Sequence, residues 1–326
     1  MFKQRIIIAA LLSLWVFSGC AGMKTAFDTH VKGPWYMQQG KYKEGLAVFS
    51  RERESDPESP VAAYWMGRYY LALNQPEKGT PLLEQAVRLA LWDAEAHFWL
   101  GVSYWAQGRW EDERRQYEKV LELKPHHRGA NLYLGHHYLD RGQWEKALAQ
   151  YDRVLELDRE QPDALFNRAV ALSHMNRVEE AKTAWKKILN RSTQGAKALS
   201  AAENLNVLGD FSYRNVLVGK RRVTLGRIDF DAANAVTESG RAYLAVIGRI
   251  LTRNPNLKLH VVVYLEGDAA AARARSLAVR HAILAAAPGV VSGRLPLSWF
   301  GDAEKVEAGG RIWSLEESVH FVTQVQ

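Results

Sequence analysis

Cysteine is almost absent from this chain of 326 residues, whose single cysteine is Cys20. One cysteine cannot form a disulfide within the chain, and it excludes a metal site built from several cysteines. An excess of one charge is also missing, because the formal net charge at pH 7 is only +7. So small an excess does not indicate nucleic-acid binding, although an anionic surface remains a plausible neighbour. The composition, 47% hydrophobic and 24% charged, is that of a globular protein of about two domains.

Long apolar runs are missing too, apart from residues 6–17, which are too few to span a bilayer stably. Basic residues precede this run and small residues end it, as in a secretory signal. The stretch Phe17-Ser18-Gly19-Cys20 resembles the lipobox of bacterial lipoproteins. The resemblance implies that residues 1–19 are a signal peptide, that Cys20 carries acyl chains such as palmitate, and that residues 20–25 are a linker.

Ala21 follows the cysteine where some lipoproteins have aspartate, and by the sorting habit of that family this implies the outer membrane of a Gram-negative cell. We therefore expect an outer-membrane lipid anchor with the remainder of the chain in the periplasm. The alternative is an ordinary secreted protein with one stray thiol.

Residues from about 60 to 195 repeat every 34 positions. The eighth position of each unit is small, at Gly67, Gly101, Gly135 and Ala169. A residue without a long side chain there lets a second helix approach closely, and Gly or Asn at position fifteen can adopt positive φ and turn the chain back. This pattern resembles the tetratricopeptide repeat (TPR). The resemblance implies an α-solenoid of about five helical hairpins over residues 26–195, the first of them degenerate, followed by a capping helix and linker over residues 196–214.

In the TPR family, the first helix of each hairpin lines a groove for a partner. The resemblance therefore implies a groove lined by Tyr64, Arg68, Leu71, Phe98, Val102, Trp105, Leu132, His136, Leu139, Asp140, Phe166 and His174. An apolar, aromatic groove with a few polar points is suited to an extended peptide or to a partner's helix. Alternatively, the aromatic residues pack between neighbouring repeats, whereas we expect Arg68, His136 and Asp140 to be exposed.

Adjacent histidines at positions 126–127 and 136–137 invite a metal-site interpretation. Adjacent residues on a helix point about 100° apart, so neither pair easily supplies two ligands to one ion. We expect solvated or capping histidines and no metal site.

Beyond residue 210 the 34-residue period ends, and alternating apolar residues predict strands. We predict a first strand over residues 223–230 with a bulge at Gly226, a helix over 237–253, a strand over 257–263, a helix over 269–286, an edge strand over 294–299 and a last strand over 319–325. This β-α-β-α-β-β order is that of an α/β sandwich.

That order, together with Ile228-Asp229-Phe230-Asp231 ahead of the first of these helices, resembles the OmpA-like peptidoglycan-associated domain over residues 215–326. In that family an Asp and an Arg grip the diaminopimelate of the peptidoglycan stem peptide. The resemblance implies that Glu266 would face its ammonium group and Arg275 its carboxylate. Two interpretations stay open: peptidoglycan binding is retained, or the fold is kept and its ligand site is lost.

The sequence shows no nucleotide-binding loop, no Gly-x-Ser-x-Gly and no His-Glu-x-x-His. We therefore expect no cofactor and no enzyme, but a periplasmic scaffold whose TPR groove binds a protein. Such a scaffold fits an accessory or assembly factor of an envelope secretion, pilus or polysaccharide-export system. A peptidoglycan tether is the alternative, and an enzyme is the least favoured reading.

Overall fold

The computed structural model describes residues 28–90 and 93–324. The predicted signal peptide, the linker up to residue 25 and Cys20 lie outside these residues. The chain forms two compact units, Met1–Arg159 and Glu160–Gln326. No helix in the described ranges is both long and apolar enough to cross a membrane.

The described part of the first unit is entirely helical. After a π-helical turn at Asp28–Lys32, its α-helices are α1 (Gly33–Gln38), α2 (Tyr42–Ser55), α3 (Pro60–Ala72), α4 (Pro76–Leu89), α5 (Ala94–Ala106), α6 (Trp110–Leu123), α7 (Arg128–Asp140) and α8 (Trp144–Leu157). Three of them, α3, α5 and α7, begin 34 residues apart at the predicted repeat starts. The prediction of paired helices is therefore confirmed in this unit, and Pro34 stands in the first turn of the short α1.

Helices α3, α5 and α7 each begin with a side-chain cap. Ser59 accepts a hydrogen bond from the Ala62 amide through its side chain, and Asp93 and His127 cap α5 and α7 in the same way. Each cap stands at the last position of the preceding repeat. A side-chain acceptor there satisfies an amide that the helix itself leaves unpaired. The period thus fixes where the helices start as well as how they pack.

The small residue at position eight is a packing requirement. A Cβ placed on Gly101 would lie 2.5 Å from the Tyr117 ring, and one on Gly135 would lie 2.7 Å from the Tyr151 ring. Both tyrosines are fully buried. The second helix of each hairpin therefore fills the space that the missing side chain leaves on the first.

At position twenty, where the repeat favours a small residue, Glu113 occupies α6. Its side chain is only 2% exposed and its Oε2 lies 3.4 Å from Nδ1 of His137, itself 1% exposed. The larger residue is accommodated by a buried polar contact between neighbouring hairpins, since α6 and α7 are joined through this pair.

The second unit begins with helices and continues with strands. Its helices are α9 (Pro162–His174), α10 (Val178–Arg191), α11 (Ala196–Val207), α12 (Glu238–Arg253) and α13 (Ala269–Ala286), and its strands are β1 (Tyr213–Val218), β2 (Arg221–Gly226), β3 (Lys258–Leu265), β4 (Leu297–Phe300), β5 (Glu304–Ala308), β6 (Arg311–Leu315) and β7 (Glu317–Gln324). A short 3₁₀ turn, Ser292–Arg294, precedes β4. The predicted capping helix, both later helices and the last strand are present.

Three small sheets form in this unit. The strands β1 and β2 make one antiparallel hairpin, and β5 and β6 make another. The central strand β3 lies between β4, which is parallel to it, and β7, which is antiparallel. The predicted edge position of β4 is thus confirmed. Helices α12 and α13 contribute Leu244, Ile247 and Ile283 to the core, which they share with β3 and with Phe321 of β7.

The predicted strand order was wrong at two places. A hairpin, β1–β2, stands where one strand with a bulge was predicted; Gly226 ends β2 and lies under the Tyr243 ring, which leaves no room for a Cβ. The alternation at residues 228–230 reflects only the burial of Ile228 and one bridge from Phe230 to Val236. The β5–β6 hairpin was missed as well. The order from residue 213 is therefore β-β-α-β-α-β-β-β-β.

Candidate functional site

The predicted groove residues of the first unit lie on helices α3, α5 and α7, and we call this set the groove row. It consists of Tyr64, Arg68, Leu71, Phe98, Val102, Trp105, Leu132, His136, Leu139 and Asp140. Trp105 is 50% exposed, and Asp140 is exposed as predicted. Val102 is half-buried. The groove row therefore exposes apolar side-chain surface to solvent around Trp105 on α5.

Tyr64 and Phe98 correct the prediction that they line an open groove, because each is only 8% exposed. The Phe98 ring packs between repeats, with its centroid 5.0 Å from the His127 ring and 5.7 Å from the Tyr133 ring. Burial raises the pKa of Tyr64 to about 12. Tyr64 and Phe98, at the fifth position of their repeats, therefore pack between neighbouring repeats instead of lining an open groove.

Arg68 also differs from the prediction, since it is half-buried rather than freely exposed. Its guanidinium carbon lies 3.9 Å from the Trp99 ring centroid and 4.9 Å from that of Trp65. Its Nη1 donates a hydrogen bond to the Tyr64 hydroxyl at 3.3 Å. Stacked aromatic faces attract a guanidinium and restrict its orientation. The groove row thus contains one cation held in a defined plane.

Position six of the repeat carries the rings that hold Arg68, and sequence reasoning missed it. Trp65, Trp99 and Tyr133 recur there at 34-residue steps. The recurrence was a readable signal. The family resemblance did not indicate position six, because the groove residues of that family stand at other positions of the repeat.

His127 and His136 of this unit act in capping and in packing. His127 accepts the Ala130 amide through Nδ1, and its Nε2 lies 3.1 Å from Glu95 Oε1. Hydrogen bonding to His127 lowers the pKa of Glu95. The His136 ring lies among aromatic rings, 5.7 Å from Tyr133 and 5.8 Å from Tyr151, and is half-buried where exposure was predicted. Within the described ranges no group of three His, Cys, Asp or Glu residues is placed to hold a metal.

Two predicted groove residues belong to the second unit. Phe166 is half-buried, with its ring 5.2 Å from that of Trp185 in an edge-to-face contact. His174 is exposed at the end of α9.

The predicted peptidoglycan residues are placed differently from each other. Glu266 is exposed in the turn after β3. Arg275 of α13 is largely buried: its Nε donates to Asn234 Oδ1 at 2.8 Å, its Nη1 lies 3.0 Å from Glu317 Oε1, and its guanidinium lies over the Phe230 ring. The Arg275 charge is thus compensated within the domain, and Glu266 is not among the partners of its guanidinium.

A cavity of about 820 Å³ lies in the second unit and is lined by residues of β1, α12 and β7, among them Tyr213, Tyr243 and Phe321. Two charged groups of its wall, Lys186 and Asp210, are paired with one another, and a third, Arg214, is paired with Glu304 at 2.7 Å. Burial raises the pKa of Tyr213 to about 12. The cavity lining therefore mixes aromatic side chains with charged groups, of which several are already paired.

Comparisons with known proteins agree with the helical pattern. Family models described as tetratricopeptide repeat match residues 64–128 and 163–192, and one described as TPR repeat matches residues 135–176. No curated protein matches the sequence.

Solved structures match this chain at low sequence identity. PilF of Pseudomonas aeruginosa is 17% identical with a TM-score of 0.53, over 73% of this chain and 95% of its own. YrrB, described as a TPR protein with an unusual peptide-binding site, is 20% identical with a TM-score of 0.47, over 52% and 87%. MamA is 19% identical with a TM-score of 0.46, over 49% and 93%. At the matched residues, this chain carries tetratricopeptide repeats.

Proposed function

We propose that this protein is a scaffold that holds an extended segment of another protein along the groove row. The observation that carries the proposal is the exposed apolar surface around Trp105 on α5. Trp105 is 50% exposed beside half-buried Val102, although burial of a tryptophan would stabilise a helical array. Repeats of this kind use such surfaces to bind partners. The proposal assigns no catalytic activity to the chain.

The scaffold is anchored in the outer membrane through a lipidated Cys20 and faces the periplasm. The support is in the sequence alone: a basic start, a short apolar run and the lipobox-like stretch ending at Cys20. Several acyl chains anchor a protein essentially permanently, at about 0.8 kcal/mol for each buried CH₂. From that position the protein serves as an accessory or assembly factor of an envelope secretion, pilus or polysaccharide-export system.

Photo-cross-linking in cells tests the groove against a matched control. Trp105 and Trp110 are nearly equally exposed, at 50% and 45%, but Trp110 starts α6 and lies outside the groove row. A photoreactive phenylalanine analogue replaces one or the other. We expect a discrete cross-linked product at position 105 that is missing at position 110. Identical products at both positions, or none at 105, would contradict the proposal.

The anchor is tested separately by cell fractionation. We expect the Cys20→Ala variant to appear in the soluble periplasmic fraction, because no acyl chain holds it. If that variant still sediments with membranes, the lipid anchor is wrong, whatever the groove does.

A peptidoglycan tether is the alternative function. Arg275 favours it, because three contacts fix its guanidinium in one orientation, and the pairing with Glu317 weighs against it, because a ligand carboxylate would have to replace that partner. Co-sedimentation of the full chain with purified sacculi tests this function. If the protein is a tether, the native chain should pellet with the sacculi, and Glu266→Gln and Arg275→Ala should each reduce the pelleted fraction. The control Arg273→Ala, on the same helix as Arg275, should not reduce it. A chain that stays in the supernatant has no such role.

A further inference from the structure

Arg68 is the one groove-row cation whose surroundings define what it would bind. Its guanidinium carbon lies 3.9 Å from the Trp99 ring centroid and 4.9 Å from that of Trp65, and its Nη1 donates a hydrogen bond to the Tyr64 hydroxyl. These contacts restrict both the rotamer and the plane of the guanidinium. An arginine held in this way loses little conformational entropy when it binds a further group.

Among the described residues Arg68 forms no close ion pair, and its charge is only one of the smaller causes that lower the pKa of the Glu95 carboxyl. The nearby carboxylate of Glu95 contacts His127 instead, at 3.1 Å. Moreover, the Arg68 Nε is buried and makes no hydrogen bond. A buried guanidinium N–H without an acceptor is costly by itself, since buried polar groups are normally hydrogen-bonded. A carboxylate meeting its outer edge would supply the missing charge and accept two hydrogen bonds.

The neighbouring groove-row residues of α5 have the opposite character. Val102 and Trp105 are both apolar. Val102 is half-buried, and Trp105 is half-exposed. An extended segment crossing from α3 to α5 would therefore meet a cation and then an apolar surface.

We infer that the groove row recognises an extended partner segment through an aspartate or glutamate side chain bound by Arg68, followed by an apolar side chain that packs on Trp105. This inference rests on the proposed function and names the chemistry of its partner. The competing interpretation is that Arg68 only joins two repeats through its stacking on Trp99.

Selection of peptides on the full chain tests the inference. A random dodecapeptide display library is panned on the intact protein, and the enriched peptides are synthesised. We expect one acidic residue at a fixed spacing from a large apolar residue. Arg68→Gln should weaken these peptides about 10- to 100-fold, the usual effect of losing a charge-assisted pair. The control Arg88→Gln removes the same charge from an exposed position and should leave affinity unchanged.

A double-mutant cycle separates recognition from packing. Changing the acidic residue of the peptide to its amide should weaken binding to the native chain and to Arg88→Gln, but add little in Arg68→Gln. The variant Arg68→Lys keeps the charge and should retain part of the affinity. Selected peptides without an acidic residue, or equal affinity for native and Arg68→Gln protein, would overturn the inference.

Failure of the inference and failure of the proposed function give different results. Neutral peptides whose binding is lost in Trp105→Ala would leave the groove function standing and remove the role of Arg68. A library that yields no peptide dependent on Trp105 would contradict both.

Discussion

At the scale of single residues, the spaces left by missing side chains are the tightest constraint on this fold. The Tyr117 ring lies 2.5 Å from where a Cβ of Gly101 would be, and that ring is fully buried. The repeat pattern predicted this requirement from the sequence, because a small residue recurs at the eighth position. The partner that fills each space could not be predicted so directly, since it is Leu83 beside Gly67 and a tyrosine in the next two repeats.

Gly101→Ala should therefore destabilise the first unit. The added methyl group overpacks the core, which costs about 1–3 kcal/mol, against roughly 1 kcal/mol gained from better helix propensity. Because a rigid ring blocks the methyl group, we expect a net loss of about 1–2 kcal/mol in urea unfolding. Gly289→Ala is the control, since no atom lies within 4 Å of its added Cβ, and it should change little. A Gly101→Ala protein as stable as the native one would refute the packing account.

Glu304 provides a test by pH in the second unit. Burial by itself would raise the pKa of Glu304, but the hydrogen bonds and charge of Arg214, together with Ser318 and His320, outweigh burial and hold this pKa below its ordinary value. A carboxyl with a lowered pKa in the folded state stabilises the protein above its ordinary pKa, and this stabilisation is lost as the pH falls through the lowered value. The Arg214–Glu304 contribution should therefore be complete at pH 7 and decline below about pH 4.5.

Glu304→Gln should lower the free energy of unfolding by about 2–3 kcal/mol at neutral pH, because Arg214 keeps a buried charge. The difference from the native protein should shrink as the pH is lowered towards 3. Glu307→Gln, in the same strand but exposed, should match the native protein at every pH. A Glu304 effect that does not vary with pH would contradict the assigned ion pair.

Burial also lowers the pKa of nearby His320, so the native chain should lose some stability from about pH 6.5 downwards.

At the scale of elements, hairpins that repeat were predicted more accurately than strands that do not. The helix Ala269–Ala286 and the starts of α3, α5 and α7 stand where the sequence placed them, because period and capping residues agree. The β5–β6 hairpin was missed although Gly309 and Gly310, both with positive φ, stand at its turn. Its strands are short, exposed and charged, so alternation of apolar residues could not indicate them. Glycine pairs were the better signal.

The contact between α6 and α7 gives a prediction at this scale. Removing one member of the buried Glu113–His137 pair leaves the other without its partner, so Glu113→Ala and His137→Leu should each cost about 2–4 kcal/mol. The double variant should lose less than the sum of the two, by about 1–3 kcal/mol. Urea unfolding of the four proteins measures this coupling. Strict additivity would show that the two side chains do not stabilise one another.

At the scale of the whole molecule, the candidate site was predicted in part. The family pattern indicated the helices that carry the groove row. Asp140 is exposed as expected, and Trp105 is exposed in agreement with one of the two interpretations left open for the aromatic residues. It did not anticipate that Phe98 would be enclosed by His127 and Tyr133, because those residues belong to other elements and side-chain volumes decide which ring fits. In the last third, two helices and the last strand were predicted, while the environment of Arg275 depends on Glu317 of the last strand, far away in sequence.

Hydrogen–deuterium exchange of the full chain, with and without the tightest peptide from the library, tests the central claim most directly. If the groove row holds the segment, exchange should slow in the first helices, Pro60–Ala72, Ala94–Ala106 and Arg128–Asp140, and stay unchanged in the second helices Pro76–Leu89 and Trp110–Leu123. Protection confined to those second helices, or to residues 213–324, would contradict the account.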